Sequence, residues 1–212
     1  NPSFETYSGV IGDGALDTFD GWAASGFGST PQQAIPSDNA LGTSTPNIAA
    51  LKMPASRGKM EAIVDTGHDL NGQVLTLSYY AKALSGSCNG EVNLGFTATC
   101  TNPADCSPAN ASKFYGSTWN RYSQTFIMPQ AAYTSSKVTP QFFANSSCDT
   151  AIDNVQLENG STASEWKDYG AANTVFLNAT RTSCEATDVG CDSWTTVQGT
   201  AAPIPAIATA VD

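Results

Sequence analysis

Residues 73–83, Gln-Val-Leu-Thr-Leu-Ser-Tyr-Tyr-Ala-Lys-Ala, put Leu75, Leu77, Tyr79 and Ala81 on one face and Thr76, Ser78, Tyr80 and Lys82 on the other. Successive side chains alternate across a β-strand, whereas a helix would scatter such a pattern around its axis, so this segment is a half-buried strand. Residues 91–98 repeat the pattern, with Val92, Leu94, Phe96 and Ala98 inward and Glu91, Asn93, Gly95 and Thr97 outward. Further strands read at 47–53, 59–65, 119–127, 137–144 and 151–158, separated by turn formers rather than by helical periods. That order predicts an all-β fold, an antiparallel β-sandwich with the jelly roll as its expected form. The segments 10–46 and 99–118 read as long loops.

The 212 residues suffice for one substantial domain and a tail. Only 13% of residues are charged, and 19 acids against 9 bases give a net charge of −10. Such a surface repels a phosphate backbone or an anionic bilayer, which argues against nucleic acid as a partner, but it is indifferent to uncharged glycans. No apolar run approaches the ~18 residues that span a membrane, so membrane insertion is not expected.

Six cysteines occur, at 88, 100, 106, 148, 184 and 191, without a Cys-x-x-Cys pair or a second histidine to build a zinc site. Disulfides, and with them an extracellular or cell-surface location, are the expectation. Six thiols allow fifteen pairings, of which short loops favour Cys100–Cys106 and Cys184–Cys191, leaving Cys88 with Cys148. The chain therefore divides into a sandwich over 1–168, a small disulfide-bearing extension over 169–199 and an Ala/Pro-rich linker over 200–212, as expected of a piece of a larger protein. Four Asn-x-Ser/Thr sequons, at Asn110, Asn145, Asn159 and Asn178, would carry glycans only in a source that glycosylates secreted proteins.

Catalytic signatures are sparse. The single histidine, His68, lies in the turn-like Thr-Gly-His-Asp-Leu, and no Gly-x-Ser-x-Gly elbow supplies a nucleophile. Acidic pairs capable of glycoside hydrolysis are easily drawn among 19 acids, but none stands in a recognisable context. Asp13, Asp17 and Asp20 lack EF-hand spacing and read as turn residues. A non-enzymatic role is expected.

Three stretches carry a resemblance: Asn-Pro-Ser-Phe-Glu-Thr at 1–6 followed by Asp-Gly-Trp at 20–22, Leu-Ser-Tyr-Tyr-Ala-Lys-Ala at 77–83, and Ala-Ile-Asp-Asn-Val-Gln-Leu-Glu at 151–158 with Trp166 beyond. In order and spacing they resemble carbohydrate-binding modules of the family 4, 9 and 22 type, over about residues 1–168. The resemblance implies a structural calcium ion joining the first strand to the last, with Glu5 and Asp153 as ligands, a donor set that suits a hard cation.

It also implies neutral polysaccharide or oligosaccharide bound on the outer face of one sheet. There, aromatic rings stack on sugar C–H faces while amides and charged groups bond to hydroxyls. The candidates are Trp22, Tyr80, Lys82, Asn93, Trp119, Arg121 and Gln141, with Asn93 and Glu91 expected on the same face as Tyr80 and Lys82. A competing expectation is a structural module of an extracellular layer or filament, self-assembling through its C-terminal tail.

Overall fold

The computed structural model describes residue 4 and residues 7–27, 32–37, 49–56, 58–67, 69–99, 111–144, 147–166 and 177–178. Among the described residues the regular structure is all strand: β1 Trp22–Ser25, β2 Gln33–Pro36, β3 Ala49–Met53, β4 Lys59–Ala62, β5 Val64–Asp65, β6 Val74–Ala83, β7 Cys88–Thr99, β8 Ala111–Tyr115, β9 Asn120–Ile127, β10 Ala132–Phe143, β11 Thr150–Asn159 and β12 Leu177–Asn178. They form two sheets, a jelly-roll β-sandwich. The first runs β1-β4-β10-β7-β8, with β5 also on β10, and the second β2-β3-β11-β6-β9, with β12 also on β11. All pairings are antiparallel except β11 with β12, where Glu158 and Asn159 face Leu177 and Asn178.

The alternation read in β6 and β7 has its expected consequence. Leu75, Leu77, Tyr79 and Ala81 from one sheet meet Val92, Leu94, Val138 and Phe142 from the other in a single buried core. Each such side chain taken out of water contributes about 1.5–3 kcal/mol before the entropy of ordering it is counted. Tyr79 sits at the centre, its ring edge-on to Phe142 at 4.9 Å and stacked on Tyr122 at 6.0 Å. Its hydroxyl lies 3.0 Å from that of Tyr115, so both buried phenols are satisfied. Burial pushes both well above the ordinary phenol value. Cys88, at the start of β7, is bonded to Cys148, just ahead of β11, tying the two sheets together.

The structure corrects three expectations. The long segments 10–46 and 99–118 hold strands β1, β2 and β8, each only four or five residues long. Asp17 is more than a turn residue: it is buried and its Oδ2 accepts the Ala34 amide at 2.8 Å, pinning the acidic loop to β2. Gly9, at φ +96°, allows that approach, since a Cβ there would strike Asp17 Oδ1. Finally, β6 and β7 belong to different sheets, so the outward residues of the two strands lie on opposite sides of the molecule. Consecutive strands in a sandwich often cross between layers, and alternation reports which side of a strand is inward without reporting which sheet it joins. Phe4 is buried; Glu5, His68, Cys100, Cys106, Cys184, Cys191 and the 200–212 linker lie outside the described residues.

Candidate functional site

The outer faces of the two sheets differ in access. On the second sheet part of the outer face is covered: Thr76 and Ser78 on β6, and Asp153 and Glu158 on β11, are all at most 1% exposed, while Tyr80 and Lys82 on β6 are half-buried. On the first sheet an open groove of about 720 Å³ crosses β1, β4, β10 and β7, bounded by Trp22 and Ile63 at one side and Phe96 and Thr97 at the other. Its volume lies within the ordinary range for small-ligand clefts.

The floor of the groove follows from strand register. Ala23 pairs with Glu61, Glu61 with Gln141 and Gln141 with Asn93, so one outward residue from each of four strands falls in a single row. The row is hydrogen-bonded along its length: Asn93 Nδ2 donates to Gln141 Oε1 at 3.3 Å, and Gln141 Nε2 donates to Glu61 Oε2 at 2.8 Å. Lys59, two residues before Glu61 on the same face, donates to Glu61 Oε2 at 2.7 Å. The next row is Thr139 opposite Gly95. A Cβ at Gly95 would lie 3.4 Å from Thr139 and 3.5 Å from Gln141 Nε2, so the missing side chain there keeps the floor clear.

Every donor in the chain points toward Glu61, and its acid is held below its ordinary value by the Lys59 hydrogen bond first and the Gln141 hydrogen bond second, against partial desolvation. The Lys59 ammonium offsets the Glu61 carboxylate, leaving a polar floor. Each amide NH₂ has two N–H donors and each oxygen more than one lone pair, so capacity beyond the internal bonds exists for a ligand. A hydroxyl, which donates and accepts at once, matches such an alternating floor.

The residues singled out in the sequence separate into two groups. Asn93 and Gln141 meet on the outer side of the first sheet, where Gln141 lines the groove and the buried Asn93 holds it from the side. Trp22 stands at its side on β1 with the ring turned inward, 5.0 Å from Phe4 and 5.8 Å from Phe142, half-buried. Tyr80, Lys82, Trp119 and Arg121 form a separate cluster on the second sheet: Tyr80 pairs with Arg121, and the Lys82 ammonium lies 4.9 Å from the Trp119 ring centre. Of the two expected calcium ligands, Asp153 is fully buried on β11, its Oδ2 accepting from Ser37 Oγ at 3.0 Å and its Oδ1 from the Asn154 amide at 2.7 Å. Glu5 lies outside the described residues. Sequence reading overlooked Lys59 and Glu61, although the alternation Lys-Met-Glu-Ala at 59–62, with Met60 buried, marks both as outward.

No family model and no curated protein matches the chain. Solved structures of similar arrangement include the enzymatically active domain of tailspike protein 4 of bacteriophage CBA120, at 16% identity and TM-score 0.44. That match takes in 66% of this chain but only 19% of the tailspike domain. A CBM4 module aligns at 11% identity and TM-score 0.47, over 76% of this chain and 98% of that one. The family 61 module TmCBM61, solved with β-1,4-galactotriose, aligns at 13% identity and TM-score 0.44, over 76% and 96%.

Proposed function

We propose that this chain is a non-catalytic carbohydrate-binding module of a secreted or cell-surface protein, taking a neutral glycan in the groove of the first sheet. The observation that supports it most is the pre-ordered pair Gln141 and Glu61 on an accessible sheet face, held from the sides by the buried Asn93 and by Lys59, whose ammonium offsets the Glu61 carboxylate. Groups already held by one another lose little freedom when a sugar arrives, and that favours binding by hydroxyl recognition. The Cys88–Cys148 disulfide suits an oxidising compartment.

Titration calorimetry with a panel of neutral β-1,4-linked oligosaccharides tests the reading. Gln141→Ala removes a floor group and disrupts its neighbours on both sides, with an expected loss of about tenfold in affinity, equivalent to 1.4 kcal/mol. Gly95→Val, which fills the floor without deleting a hydrogen bond, is expected to block the groove while leaving the thermal unfolding midpoint within a few degrees. Binding unchanged in both variants contradicts the proposal. Because the ionised form of Glu61 is the one favoured in the folded chain, affinity is expected to be flat above pH 4.5 and to fall as the acid titrates below it.

A structural calcium at Glu5 and Asp153 belongs to the same reading. Asp153 fits the part: a buried carboxylate on the last long strand, with a hydroxyl beside it, offers the hard oxygens that calcium takes. An ion that binds only the folded chain raises its stability by about 2.7 kcal/mol at a hundredfold excess over its Kd. Calcium is therefore expected to raise the melting temperature and a chelator to lower it, with the response abolished in Asp153→Asn. An identical melting curve with calcium and with chelator removes the metal from the account.

A further inference from the structure

The second sheet carries a cluster that the neutral groove does not explain. Arg121 projects from edge strand β9 on the same face as Tyr80 and Ser78, and its Nη2 donates to Ser78 Oγ at 2.9 Å. Among the described residues no carboxylate pairs with it, although the chain has 19 acids to 9 bases. Its Nε is buried without an acceptor, and so is the indole Nε1 of Trp119, two residues earlier on the same face. Buried N–H groups without acceptors carry a standing cost that a correctly placed oxygen removes. Two of them two residues apart on one face, one belonging to a guanidinium that no described carboxylate pairs with, point to a missing anion.

The shape of the cluster narrows which anion. Guanidinium is planar and matches the two oxygens of a carboxylate, and Trp119 and Tyr80 offer ring faces of the kind that stack on sugar C–H surfaces. Lys82 lies over the Trp119 ring, and Lys52, across Ala151 in the same row, is engaged by Asp149 at 3.1 Å. The acid facing this cluster from the adjacent strand is Asp153, in register with Tyr80 and thus two strands, or about 10 Å, from Arg121. At that distance it is not an ion-pair partner of Arg121, and its two oxygens accept from Ser37 Oγ and the Asn154 amide.

We propose that the outer face of β6 and β9 holds a second carbohydrate site, separate from the groove, that takes the carboxylate of an acidic sugar, a hexuronate, on Arg121 and Trp119. The two orphaned nitrogens are out of contact with water, so the carboxylate enters with a rotation of the half-buried Trp119 or Arg121 side chain.

The test compares an oligogalacturonate with its methyl ester, which keeps the rings and loses the charge. The wild-type chain is expected to bind the acid at least tenfold more tightly than the ester, and the Trp119 indole N–H resonance, assigned with Trp119→Phe, is expected to move on binding. Arg121→Gln should bring acid and ester to equal affinity, and Arg121→Lys, a point charge without the planar fork, should restore only part of the difference. Neutral-oligosaccharide binding in the groove is expected to be untouched by Arg121→Gln. Equal binding of acid and ester to the wild type, an acid preference that survives Arg121→Gln, or its loss in Gln141→Ala would overturn the proposal. Uronate binding in a chain that binds no neutral glycan would leave this site standing and remove the groove.

Discussion

Replacing both Cys88 and Cys148 by alanine is expected to cost about 4 kcal/mol of folding stability. The bond closes a loop of 60 residues between the two sheets. In the chain-entropy description a loop of that size removes about 4 kcal/mol of freedom from the unfolded chain. For a domain of this size the loss corresponds to roughly a 10 °C drop in melting temperature. The double variant is preferred to a reductant because other cysteines are present. Guanidinium unfolding should show a lower midpoint with the groove still competent to bind below the transition. An unchanged midpoint would mean that the cross-link constrains nothing that the sheets do not already hold.

Phe142→Ala is expected to be comparably severe, at about 3–5 kcal/mol, because a fully buried ring is replaced by a cavity. Phe142 is the residue after Gln141, with its ring on the inner side between Trp22 and Tyr79. Core and groove are therefore successive positions of one strand: the ring fixes β10 against the second sheet while Gln141 bridges Glu61 and Asn93 outside. The variant should lose stability first and, where it remains folded, bind glycan more weakly because β10 is less firmly held. A loss under about 1 kcal/mol would contradict the packing described here.

The same neighbours show what the sequence makes legible. Strict alternation in β6 and β7 exposed both the strands and their inward residues, because ten and twelve residues give the period time to repeat. Strands β1, β2 and β8 escaped notice because Trp-Ala-Ala-Ser, Gln-Ala-Ile-Pro and Ala-Ser-Lys-Phe-Tyr lack the apolar–polar alternation that Lys-Met-Glu-Ala in the equally short β4 shows, and their place is set by pairing. The candidate sites were legible residue by residue but not as sets. Alternation turned Asn93 and Tyr80 outward but left open which face of the 119–127 strand, that of Arg121 or that of Tyr122, is the inner one, and only the pairing of β7 with β10 and of β6 with β9 places Asn93 in one set and Tyr80 and Arg121 in another. Glu61 illustrates the reverse case, a residue whose outward position could be read from Lys-Met-Glu-Ala but whose partners come from strands far away in the chain.

Amide chemical-shift mapping of the chain during titration with a neutral β-1,4-linked oligosaccharide tests the groove most directly. Saturable shifts concentrated on Ala23, Glu61, Asn93, Gly95 and Gln141, together with the side-chain amides of Asn93 and Gln141, are the predicted result. Shifts confined to β6, β9 and β11, or none at saturating sugar, would contradict it.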